Sequence, residues 1–105
     1  MATVNAREEL LEKLASRQIK CARIVAQLNP DNWDETVFIL KVGHSPAELE
    51  TFLQSLNFEY NQIGLPVLDG NVWLTNGQWL ERFIINDIDN VWAVCSFPPI
   101  PTDCI

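Results

Sequence analysis

Asn76-Gly77 stands between two apolar, β-branched and aromatic runs, NVWLT before it and QWLERFII after it. No other feature narrows the possible folds so much. Asn-Gly is the favoured central pair of a two-residue type I′ hairpin, because both residues tolerate a left-handed backbone. A turn of that type sets the pairing: Thr75 opposite Gln78, Leu74 opposite Trp79, Trp73 opposite Leu80, Val72 opposite Glu81. One face of the ribbon then carries Val72, Leu74, Trp79, Glu81 and Phe83. The other carries Trp73, Thr75, Gln78, Leu80, Arg82 and Ile84. Neither face is wholly polar, so both are expected to be partly covered.

The remaining segments supply partners for this ribbon. VWAVCSF reads as a third strand after the turn Asn86-Asp87-Ile88-Asp89-Asn90, and Pro98-Pro99-Ile100-Pro101 ends regular structure. Near the N-terminus, Asn5 or Thr3 caps a helix whose Leu10, Leu11 and Leu14 form one apolar stripe. Residues 18–27 alternate like a strand, with Ile19, Cys21, Arg23 and Val25 on one side. TVFILKV at 36–42 is the next strand, and the short loop between them predicts an antiparallel pair. Ser45-Pro46-Ala47-Glu48 is a helix start, with a capping serine, a proline at the first helical position and a glutamate that reaches back. Leu49, Phe52, Leu53 and Leu56 follow at helical spacing, and Asn57 is a natural stop. Phe58 and Tyr60 suit a short edge strand; residues 28–35 and 61–70 read as loops, Gly64, Pro66 and Gly70 arguing against a long strand there. The expected architecture is one α+β domain over residues 1–105: α-β-β-α, then a three-stranded antiparallel meander, with the helices packed on one face of a twisted antiparallel sheet.

Charge narrows the partners. The formal net charge is −7. Residues 1–42 balance their cations and acids, so the excess lies after residue 42, where Arg82 is the one lysine or arginine. An acidic surface repels phosphates, and no basic stripe interleaved with aromatics is present, which argues against nucleic acid. No apolar run approaches the ~20 residues of a membrane span, and the N-terminus lacks a signal core. Cys21, Cys95 and Cys104 form no CxxC and no ligand cluster, so they read as free thiols in a reducing, cytoplasmic setting.

No catalytic, cofactor or metal motif emerges. His44, the single histidine, precedes a helix start and has no spacing that ties it to a nucleophile. Asp31, Asp34 and Glu35, and separately Asp87 and Asp89, are oxygen-rich but lack the glycine and distal glutamate of a calcium loop. Arg82, wherever it is buried, needs a carboxylate, and Glu59, Asp69 and Asp87 are the near candidates. Trp33, Trp73, Trp79 and Trp92 are more large rings than a domain this small needs for its core, so some are expected at a surface suited to contact.

The stretch VWLTNGQWLERFIINDIDNVWAVCSFPPIP, together with Ile19-Lys20-Cys21-Ala22, resembles a class of short bacterial and phage-borne hypothetical proteins. That class runs strand, turn, arginine, acidic turn, Trp-rich strand, then Pro-x-Ile-Pro. Here the usual acidic-glycine turn is Asn86-Asp87-Ile88-Asp89-Asn90, and the usual Trp-Trp pair is Trp92-Ala93. The class has no assigned activity, so the resemblance implies no mechanism beyond a mobile-element protein that binds or blocks another protein. The resulting expectation is a non-catalytic, acidic protein-interaction module without cofactor, binding another protein or itself through Trp73, Trp79, Trp92, Arg82 and Glu81. A small-molecule site between sheet and helices, lined by Trp73 or Trp79 with Phe52, Tyr60 and Arg82, is the alternative. An enzyme built on His44 or an acidic pair is the third reading.

Overall fold

The computed structural model describes residues 3–27, 35–61, 67–85, 89–97 and 102–104. In chain order these form β1 (Thr3–Asn5), α1 (Ala6–Leu14), β2 (Ile19–Ala26), β3 (Thr36–Leu40), α2 (Pro46–Ser55), β4 (Glu59–Asn61), β5 (Leu68–Leu74), β6 (Trp79–Ile85) and β7 (Asp89–Cys95), followed by a single 3-10 turn at Thr102–Cys104. The class is α+β with antiparallel sheets, as the patterning predicts. The arrangement is more integrated than α-β-β-α followed by a separate meander. β2 pairs with β5, so the early hairpin and the late strands make one five-stranded sheet in the order β3-β2-β5-β6-β7. A second, two-stranded sheet joins β1 to β4.

Local chemistry explains the helices. Asn5 accepts from the Glu8 amide at 3.0 Å and caps α1, while its own amide nitrogen donates to Asn57 Oδ1 at 2.9 Å, just past α2. Ser45 and Glu48 form the complete reciprocal box at the start of α2, with both hydrogen bonds at 3.1 Å. Leu10 and Leu14 from α1 and Phe52, Leu53 and Leu56 at α2 and its end are buried with Ala22, Ile24, Leu68, Val72, Leu74, Leu80 and Trp92 from the large sheet. Both helices therefore cover one face of that sheet. Each fully buried leucine in this layer, such as Leu80, contributes about 2–3 kcal/mol of burial.

The hairpin departs from the expected register by one residue. Observed partners are Trp73 with Trp79, Val72 with Leu80, and Asn71 with Glu81. Leu74 N–H donates to the Gln78 carbonyl at 2.9 Å, and Gly77 N–H to the Leu74 carbonyl at 3.3 Å, so the loop holds three residues, Thr75 to Gly77. Gly77 is left-handed at φ +90°, but Asn76 is not. The cause is the Asn76 side chain: its Oδ1 accepts from the Gln78 amide at 2.9 Å, an Asx-type bond that competes with a left-handed backbone. A type I turn followed by one left-handed glycine is the usual three-residue solution. The expected face assignments are corrected accordingly. Val72, Leu74, Leu80 and Arg82 share the covered face; Trp73, Trp79, Glu81 and Phe83 share the other.

Gly70, expected in a loop, lies inside β5. Its φ is +134°, and a Cβ there would fall 2.2 Å from the Arg23 carbonyl oxygen. Glycine is what lets β5 approach β2 at that point.

Candidate functional site

The face of the large sheet turned away from the helices is open and mixes apolar with polar side chains. Cross-strand pairing arranges it in rows. Cys21, Trp73, Trp79 and Cys95 form one row across β2, β5, β6 and β7. Ile39, Arg23, Asn71, Glu81 and Ala93 form the next, a polar stripe bounded by apolar ends. Trp73 is 42% exposed, Ile39 58%, and Val37 and Phe83 are also exposed. The Trp79 indole N–H donates to Glu81 Oε1 at 2.7 Å, which fixes the ring on the sheet surface. Phe97, 81% exposed, meets Trp79 edge-on with centroids 5.0 Å apart and planes at 61°. Large apolar side chains exposed on one sheet face, on either side of a polar stripe, are the kind of feature that marks a contact surface.

Two of the five anticipated residues are elsewhere. Arg82 and Trp92 are cross-strand partners on the covered face. Trp92 is 2% exposed and belongs to the core. The Arg82 side chain is 3% exposed and pairs with Glu9 of α1 at 3.0 Å, not with Glu59 or Asp69; Asp87 lies outside the described residues. It also donates to the Tyr60 hydroxyl at 2.7 Å and the Asn90 carbonyl at 2.9 Å, and its guanidinium lies 4.9 Å from the Trp92 ring centroid. The Tyr60 hydroxyl in turn donates to the Glu9 carboxylate. Burial first, then that bond, push the Tyr60 phenol well above its ordinary value; the Arg82 charge works against them. This node ties α1, β4, β6 and β7 together beneath the open face.

The Trp-lined pocket is not assembled, because Trp73 and Trp79 lie on the opposite side of the sheet from Phe52, Tyr60 and Arg82. The His44 Nδ1–H donates to the Lys41 carbonyl at 2.9 Å, closing the turn before α2. Cys21 and Cys95 are free thiols. Three strand spacings separate them, roughly 14 Å, too far for a disulfide. Desolvation and then the Glu81 carboxylate raise the Cys95 thiol above its ordinary value. Among the described residues no group of three or more His, Cys, Asp or Glu side chains gathers as metal ligands, and no helix is long and apolar enough to cross a membrane. Trp33, Asp31, Asp34, Asp87 and the Pro98–Pro101 tail lie outside the described residues.

Sequence reasoning missed Val37, Ile39 and Phe97 on the open face, and Glu9 in the buried node. For the first two a signal existed: TVFIL has no polar residue at alternate positions, which a one-face strand would show. Glu9 carried none, being 73 residues from Arg82. Comparison with family models, curated proteins and solved structures finds no match, so the functional reading rests on this geometry.

Proposed function

We propose that the chain is a non-catalytic protein-interaction module whose contact surface is the open face of the five-stranded sheet, centred on Trp73 and Trp79. The observation that carries this reading is the pairing of those two rings as direct cross-strand neighbours on the uncovered side. Paired tryptophans supply large, stiff contact area at low entropic cost, and they dominate binding energy where they are desolvated. The adjoining stripe of Arg23, Asn71 and Glu81 offers charge and hydrogen bonding to orient a partner. Arg82 and Trp92 support the surface from below, stiffening β6 and β7, rather than touching the partner. The chain's acidity favours a partner with basic residues around an apolar centre.

A photo-crosslinking amino acid placed at position 73 or at position 54 tests this in cells. Gln54 is exposed on α2, away from the open face. Position 73 is expected to yield discrete adducts with another protein, and position 54 not. Absence of adducts at 73, or the same adducts from both positions, would count against the reading.

A further inference from the structure

Among the described residues β3 is an edge of the large sheet, and nothing in its sequence discourages pairing. Thr36 to Leu40 holds no charge and no proline, the two usual guards of a free edge. Val37 and Ile39 are exposed on the open face. Beside the edge, between β3 and α2, runs a groove of about 600 Å³ whose walls include Phe38, Leu40, Ala47, Thr51 and Phe52. An added strand would lie about 4.8 Å from β3, beside this groove.

The flanking charges decide what that strand is. Glu35 and Lys41 flank the two ends of β3, both exposed and both at the same two-residue spacing as Val37 and Ile39, so that continuing the strand by one residue at each end sets them on that side. We propose that β3 pairs antiparallel with β3 of a second copy about a two-fold axis at Phe38. In that register Glu35 faces the second copy's Lys41, Val37 faces Ile39, and Phe38 faces Phe38. Every rung on the open side is then complementary, and the two ion pairs are symmetric copies of one contact, as an isologous interface requires. A one-residue slip separates the charges and turns Val37 and Ile39 to the other side. The product is a continuous ten-stranded sheet. It doubles the open face without using Trp73 or Trp79, so it stands or falls apart from the proposed function.

Sedimentation equilibrium on the full chain tests the register. Wild type is expected to dimerise. Glu35→Lys and Lys41→Glu each set like charges at both ends of the pairing, and each is expected to weaken the dimer by at least about tenfold. An equimolar mixture of the two single variants, or the double variant E35K/K41E, restores opposite charges and is expected to regain wild-type association. A wild-type chain monomeric up to about 0.5 mM, or failure of the mixture and the double variant to recover, overturns the proposal. Dissociation by Trp73→Glu but not by Lys41→Glu would overturn it too, by moving self-association to the open face.

Discussion

Arg82 is the one lysine or arginine after Lys41, and burial gives it no choice about pairing. Its guanidinium meets a carboxylate, a phenol, a carbonyl and an indole face drawn from α1, β4 and β7. Truncating it would take the cation at 3.0 Å away from the largely buried Glu9 carboxylate, the costly way to break such a pair. Tyr60 shares the node and gives it a pH signature. The folded protein holds this phenol un-ionised well above its ordinary value. As pH rises past about 10, the unfolded chain gives up the proton first and so binds fewer protons than the folded one. Stability is therefore at its full value below that pH and falls above it, by up to about 1.4 kcal/mol for each further pH unit. Urea unfolding across alkaline pH should show this decline, and Tyr60→Phe should flatten it while costing about 1–2 kcal/mol at neutral pH through the lost hydrogen bonds. The need for a partner at Arg82 was readable from its type and setting. The identity of the partner was not, because Glu9 reaches it only through tertiary packing.

At the scale of single elements, what was readable divides by range. Ser45, Pro46 and Glu48 announce α2 because a capping box is complete within four residues. β1 and β4 are three residues each, too short for any periodicity, and Thr3 finds Asn61 only across the folded chain. The hairpin loop was misread for a local reason: Asn76 favours either a left-handed backbone or an Asx bond to Gln78, and the side chain wins. Gly70 was misread for a distant one, since the carbonyl that demands glycine belongs to Arg23 on β2. Gly70→Ala forces either a clash with that carbonyl or a separation of β2 from β5. It is expected to destabilise by more than about 3 kcal/mol in chemical denaturation, beyond the usual range for a surface substitution. A loss under about 1 kcal/mol would show that β2 and β5 do not meet there as described.

Across the whole molecule the large sheet is asymmetric. One face carries both helices and the buried aliphatic layer; the other exposes Val37, Ile39, Trp73 and Phe83 beside the polar Arg23, Asp69, Asn71 and Glu81. An antiparallel sheet with one solvated face ordinarily alternates apolar with polar residues. Here Val37, Ile39, Trp73 and Phe83 break that alternation, and the departure is what supports an interaction surface. The α+β class and the positions of the main strands were visible in residue patterns. Joining β2 to β5, which makes one sheet of two groups of strands, is non-local and has no short-range mark in the sequence. The partition of Trp73 and Trp79 from Trp92 follows from that sheet and from the three-residue loop. Everything proposed for the open face depends on the two hairpin rings being direct neighbours. Proton NMR reads this from cross-strand α-proton contacts. A strong contact between Trp73 and Trp79 is the predicted result; contacts pairing Leu74 with Trp79 and Trp73 with Leu80 would place the rings on opposite faces and contradict the account.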